Sequence, residues 1–90
     1  MANYSYPIDM DWTHQEMNDV IKFLNVVETA YEKGVPAAKI MEAYKAYKAV
    51  VPSKSAEKTM GKQFERESGY SLYHVVKAAK DNPTKVIRMA

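Results

Sequence analysis

The 90-residue sequence predicts an all-α fold: a compact four-helix bundle, with helices at about 13–33, 36–51, 54–68 and 71–81 and an extended N-terminal arm. Three observations predict it. Apolar residues recur at spacings of three and four through the two longest patterned stretches, the period of a helix with one buried face. Each stretch lies between residues that start or stop helices. The connection between the first two is too short for anything but antiparallel neighbours.

The first helix organises the rest. Met17, Val20, Leu24, Val27 and Tyr31 form one apolar seam, widened by Ile21 and Phe23. Thr13 suits the N-cap: its hydroxyl can accept from the Glu16 N–H while the Glu16 carboxylate accepts from the Thr13 N–H, and Trp12 can staple over Met17. Gly34 can adopt the left-handed cap that ends the helix. Pro36 then suits the first position of a second helix, with a seam of Ala37, Ile40, Tyr44, Tyr47 and Val51 and an end at Pro52. Ser53 or Ser55 can cap the third helix. Only Ala56, Met60 and Phe64 face inward there, and Gly61 costs its middle about 1 kcal/mol relative to alanine, so this helix belongs at the edge of the bundle. Gly69 caps it. Ser71 starts the fourth helix, which buries Leu72, Val75, Val76 and Ala79, with Tyr70 placed to staple onto Val75 and Asn82-Pro83 as the stop.

One domain of this length builds one modest core. The arm, residues 1–12, has no helical period, and its Tyr4, Tyr6, Pro7 and Ile8 are expected to lie across one end of that core. The pattern in the tail, residues 82–90, decides between neither packing nor fraying.

With 47% hydrophobic and 27% charged residues the composition is that of an ordinary globular protein, and no run approaches the roughly 18 apolar residues of a membrane span. The opening residues lack the pattern of a signal peptide, and the absence of cysteine removes disulfides, thiolate metal sites and a cysteine nucleophile. A cytoplasmic address without membrane contact is the expectation. Charge is unevenly placed: residues 1–32 hold one lysine against six acids, whereas residues 33–90 hold twelve lysines and arginines against five. Either the acidic helix pairs with basic neighbours, or a basic surface meets an acidic partner or a nucleic acid.

Little in the sequence points to catalysis. His14 and His74 lie in no ligand-spaced cluster, and Gly69-Tyr70-Ser71 begins like a nucleophile elbow but has Tyr73 where the closing glycine belongs. No catalytic, metal-ligating or cofactor-binding residue is predicted, and an enzyme is not expected. Glu28 falls inside the apolar arc of the first helix, either as a stripe-edge carboxylate reaching water or a lysine of the second helix, or as a buried functional acid. Tyr31, Tyr44 and Tyr47 belong to the core with a hydrogen-bonding tip; Tyr4, Tyr6, Tyr70 and Tyr73 can form an exposed aromatic patch.

Residues 54–81 also have some of the pattern of a helix-turn-helix. Gly69, Tyr70, Ser71 and Val75 fall at its turn glycine, apolar, cap and core positions, and Tyr73, His74, Lys77 and Lys80 would face a groove. Glu65 stands where a small residue belongs, and Ser68 replaces an apolar one.

Four segments together carry a resemblance: Tyr4-Ser5-Tyr6-Pro7-Ile8-Asp9 with Trp12-Thr13, Ala30-Tyr31-Glu32-Lys33-Gly34, Val50-Val51-Pro52-Ser53-Lys54, and Ser68-Gly69-Tyr70-Ser71 with Val75-Val76-Lys77-Ala78-Ala79-Lys80. In these the chain resembles the small, uncharacterised YktA-like proteins of Bacillus-type Gram-positive bacteria. The resemblance implies a compact helical cytosolic protein and assigns no activity, so it carries over no site residue. The expected function is a non-catalytic protein-binding or regulatory module, with Tyr70, Tyr73, His74, Lys77 and Lys80 as candidate partner-binding residues. A nucleic-acid-binding module built on residues 54–81 is the alternative.

Overall fold

Thr13 starts the first helix with the reciprocal pair its sequence context favours: the Glu16 N–H donates to Thr13 Oγ1 at 3.2 Å, and the Thr13 N–H donates to Glu16 Oε1 at 2.8 Å. In the computed structural model, which describes residues 11–89, this helix is α1 (His14–Glu32). It is followed by β1 (Val35–Pro36), α2 (Ala37–Val50), α3 (Lys54–Ser68), α4 (Leu72–Asp81) and β2 (Val86–Ile87). The four helices fall where the periodicity predicts them. Of the expected N-terminal arm, residues 1–12, the first ten lie outside the described residues.

The core is made chiefly by α1 and α2. Val20, Phe23, Leu24, Val27 and Ala30 of α1 meet Ala37, Ile40, Ala43 and Tyr47 of α2, all buried, and the Phe23 ring stacks on Tyr47 at 4.7 Å. The seams are narrower than the spacing predicts, because Met17, Ile21, Tyr31 and Tyr44 at their margins are half-buried. Helix α4 closes the core with Leu72, Val75, Val76 and Ala79. Its Ser71 cap accepts the His74 N–H at 3.2 Å.

Helix α3 is peripheral, as its narrow apolar line predicts. Ser53 is its N-cap, accepting from the Ala56 N–H, and Gly69 ends it in the left-handed region at φ 81°. Of the three side chains expected to face inward, only Phe64 is buried; Met60 is half-buried and Ala56 is exposed. The difference follows from geometry, since a helix resting on its neighbours at one end leaves the other end of its apolar line uncovered.

One correction concerns the chain between α1 and α2, and the tail, which the sequence pattern left open, proves to be packed. Pro36 does not open α2 but precedes it with an extended ψ of 138°, as part of β1. The tail folds back as β2, antiparallel to β1, with Val35 opposite Ile87 and Pro36 opposite Val86. It closes off the C-terminus of α1: the Met89 N–H donates to the Ala30 carbonyl at 2.8 Å and Arg88 Nε donates to the Lys33 carbonyl at 3.2 Å. Carbonyls in the last turn of a helix lack intrahelical partners, and the tail supplies two donors. Gly34, at φ 101°, makes the approach possible, because a Cβ there would stand 3.3 Å from Val86 Cγ1.

Candidate functional site

Because α3 touches the bundle along so little of its length, a trough of about 700 Å³ runs between it and α4. Its floor is apolar, made by Leu72 and Val76 of α4 and the bare backbone at Gly61 of α3, with the Tyr44 and Tyr73 rings at its margins. One wall carries Lys54, Lys58 and Lys62, which recur every fourth residue and so form a single row along α3. The opposite wall carries Lys77 and Lys80 of α4.

The carboxylates lining the trough differ in how far they are already engaged. Lys48 Nζ lies 2.6 Å from Glu57 Oε2, while the Tyr44 hydroxyl donates to Glu57 Oε1 at 2.9 Å, so Glu57 joins α2 to α3. Burial pushes the Tyr44 hydroxyl pKa up to about 12, and the hydrogen bond to Glu57 and its negative charge act in the same direction. Lys77 lies 3.5 Å from Asp81 in an exposed pair one helical turn apart, and Lys80 Nζ lies 5.8 Å from the centre of the Tyr44 ring. Glu65 is exposed. Lys54, Lys58 and Lys62 take part in no ion pair among the described residues.

Of the five candidate residues, the structure brings three together: Tyr73, Lys77 and Lys80 line the trough. His74 is exposed beside Tyr73 but outside the lining. Tyr70 turns the other way. Its ring stacks on Tyr31 at 4.5 Å, and the Tyr31 hydroxyl accepts the Ser71 N–H at 3.2 Å, so Tyr70 fastens the α3–α4 turn to α1 rather than joining an aromatic patch. Ser68, out of place for a helix-turn-helix, serves the same turn by donating to the Phe64 carbonyl and accepting the Tyr70 N–H. Glu28 is buried rather than water-facing, and it is not without a partner. Tyr47 departs from the expected hydrogen-bonded tip: its buried hydroxyl meets no partner among the described residues, and burial raises its pKa far above the usual value.

Sequence reasoning missed the α3 wall. The lysines at 54, 58 and 62 form a four-residue repeat in the sequence, but the repeat by itself does not show that α4 stands opposite it. Among the described residues no group of three histidines and carboxylates is placed to hold a metal ion, and no helix is long and apolar enough to cross a membrane.

Comparison with known proteins adds a family. A family model described as "Uncharacterised protein family (UPF0223)" matches residues 3–88. A UPF0223 protein of Streptococcus sanguinis (strain SK36) is 54% identical over 78 residues, covering 87% of this chain and 85% of its own. A UPF0223 protein of Streptococcus pneumoniae (strain CGSP14) is 55% identical over 78 residues with the same shares.

Proposed function

We propose that this chain, which belongs to the UPF0223 family of uncharacterised proteins, is a non-catalytic protein-binding or regulatory module that docks its partner in the α3–α4 trough. The observation that carries the reading is the trough's combination of an apolar floor with a row of lysines that form no ion pair among the described residues. Apolar surface rimmed by polar residues is the usual form of a protein-docking site. The non-catalytic part rests on how the trough's most sheltered carboxylate is used: Glu57 is held by Lys48 and by the Tyr44 hydroxyl.

A protein partner is favoured over a nucleic acid by two features. Tyr73, Lys77 and Lys80, though exposed, border a trough that α3 shares, whereas a recognition helix presents its reading face to a groove free of a neighbouring helix. Glu57, Glu65 and Asp81 share the lining and weaken the field a polyanion would feel. The proposal places the protein in the cytoplasm, in keeping with a chain that uses no cysteine, and within the family beside the YktA-like proteins of Bacillus-type bacteria, which it resembles in the four segments above.

The test is photocrosslinking in living cells, with benzoylphenylalanine replacing Tyr73 or, as a control on exposed α1, Gln15. Protein adducts are expected at position 73 and not at 15, and they should diminish when Lys58→Glu and Lys62→Glu are added. Nucleic-acid adducts at 73, or no adducts there, would overturn the reading.

A further inference from the structure

We infer, building on the docking role proposed above, that the occupant of the trough is an acidic amphipathic helix of a partner protein, about three turns long and lying lengthwise between α3 and α4.

The helical form follows from the walls. Both are α-helices whose backbone N–H and C=O groups are already used within each helix, so the trough offers no ladder to an extended strand. An occupant must satisfy its own backbone, and a helix does so. The length follows from the lining. On α3 it runs from Lys54 to Glu65, which at 1.5 Å per residue is roughly 16 Å, or three turns of a partner helix.

The acidic character follows from the charges left over. Among the described residues Glu57 and Asp81 already have lysine partners, which leaves Glu65 as the one unpaired carboxylate of the lining against the unpaired Lys54, Lys58 and Lys62. A helix with carboxylates flanking an apolar stripe would place them against this row and against Lys80, while its stripe covers Leu72 and Val76.

A separate observation comes from the composition of α3. Gly61 lies mid-helix on the trough floor, yet a Cβ there would meet only Leu72 Cδ1, at an ordinary 3.9 Å. The fold would accept alanine, which favours helix more than glycine does. Lysines four residues apart also repel one another along the same helix. Both features weaken α3 in isolation and both face the trough. An occupant that sets carboxylates among the lysines and a side chain over the bare backbone reverses both.

The test uses fluorescence anisotropy on the intact chain at about 150 mM salt. The probe is a stapled helical peptide of about 14 residues, with leucines on one face and glutamates flanking them. Its comparators are the same peptide with lysines for glutamates, a version interrupted by proline, and a random DNA duplex. The acidic helix is expected to bind at about 10 μM or tighter. Lys58→Glu with Lys62→Glu should weaken it at least tenfold, and Gly61→Leu, which fills the floor, should do likewise with circular dichroism unchanged. Equal binding of the lysine or proline version, tighter binding of the duplex, or no binding of the acidic helix would overturn the inference. The crosslinking above reads the docking role separately: protein adducts at position 73 without peptide binding overturn the acidic helix alone, and absence of adducts overturns the docking role.

Discussion

Helices α2 and α3 are nearly the same length, at 14 and 15 residues, but they are held in different ways. The α1–α2 pair interleaves two apolar faces, so each helix is fixed by many side chains at once. Helix α3 has the better-defined ends, with Ser53 accepting at its start and Gly69 left-handed at its finish, whereas α2 begins at Pro36 without a side-chain cap. It nevertheless buries only Phe64. The contrast separates two properties: caps decide where a helix forms, and buried area decides how firmly it belongs to the core.

The largest expected effect tests that separation directly. Phe64→Ala should cost about 3 to 5 kcal/mol of attachment and Leu24→Ala about 2 to 5 kcal/mol of global stability. The two should differ in kind. Hydrogen exchange on the Phe64 variant should speed up in α3 while α1 and α2 stay protected, whereas the Leu24 variant should lose protection throughout. Uniform loss in both would make α3 as integral as α2.

Next come the two glycines with positive φ. Gly69→Ala meets no atom within 4 Å and should cost only the left-handed conformation, about 1 to 2 kcal/mol. Gly34→Ala adds crowding against Val86 and the Ile87 carbonyl, so its urea midpoint should fall further. A larger loss at Gly69 would show that the α3–α4 turn matters more than the ribbon.

The neighbouring tyrosines of α2 give a smaller pair of opposite effects. Tyr44→Phe removes the hydrogen bond that joins α2 to α3 and should cost about 1 kcal/mol, while Tyr47→Phe removes a buried hydroxyl without a partner among the described residues and should leave stability unchanged or raise it. The Tyr44 contribution depends on pH. Its pKa rises from 10.0 to about 12 on folding, so the folded chain keeps a proton that the unfolded chain releases. The resulting stability is complete below pH 10 and is lost as pH climbs towards 12. The advantage of the native chain over Tyr44→Phe should therefore be flat up to about pH 10 and narrow above it, as read by urea denaturation at each pH.

The smallest effect is a gain. Gly61→Ala should stabilise the chain by about 0.5 to 1 kcal/mol, since the added methyl meets Leu72 at an ordinary distance. A loss in thermal melting would mean that the trough floor is already filled in the fold.

These effects also mark what the sequence makes legible. Thr13 with Glu16, Ser71 and Gly69 are local devices whose partners lie within a few residues, and each is found where the sequence predicts it. The α1 seam is legible for the same reason, because the period of one helix needs no knowledge of another. The ribbon is not. Val35-Pro36 and Val86-Ile87 are too short to show an alternating pattern, and their pairing depends on Gly34, 52 residues before the strand it admits. The trough was legible only by halves: Tyr73, Lys77 and Lys80 drew attention as a helix face, but their partner wall depends on how far α3 stands off from α4. Neither Ala56 nor Tyr70 could be placed from spacing alone, since their surroundings are set by other helices.

The ribbon bears on the order in which the chain assembles. Most contacts in a small helical protein are local and form quickly, but the Val35–Ile87 pairing joins residues 52 positions apart. Closing a loop of that length costs roughly 3.5 kcal/mol of chain entropy, more than two short strands return on their own. Its closure must wait until α2 and α4 have shortened the path by packing together. The ribbon is then the last element to form and the first to open, and a fluorescent probe at Arg88 should report a refolding phase that lags the helical signal.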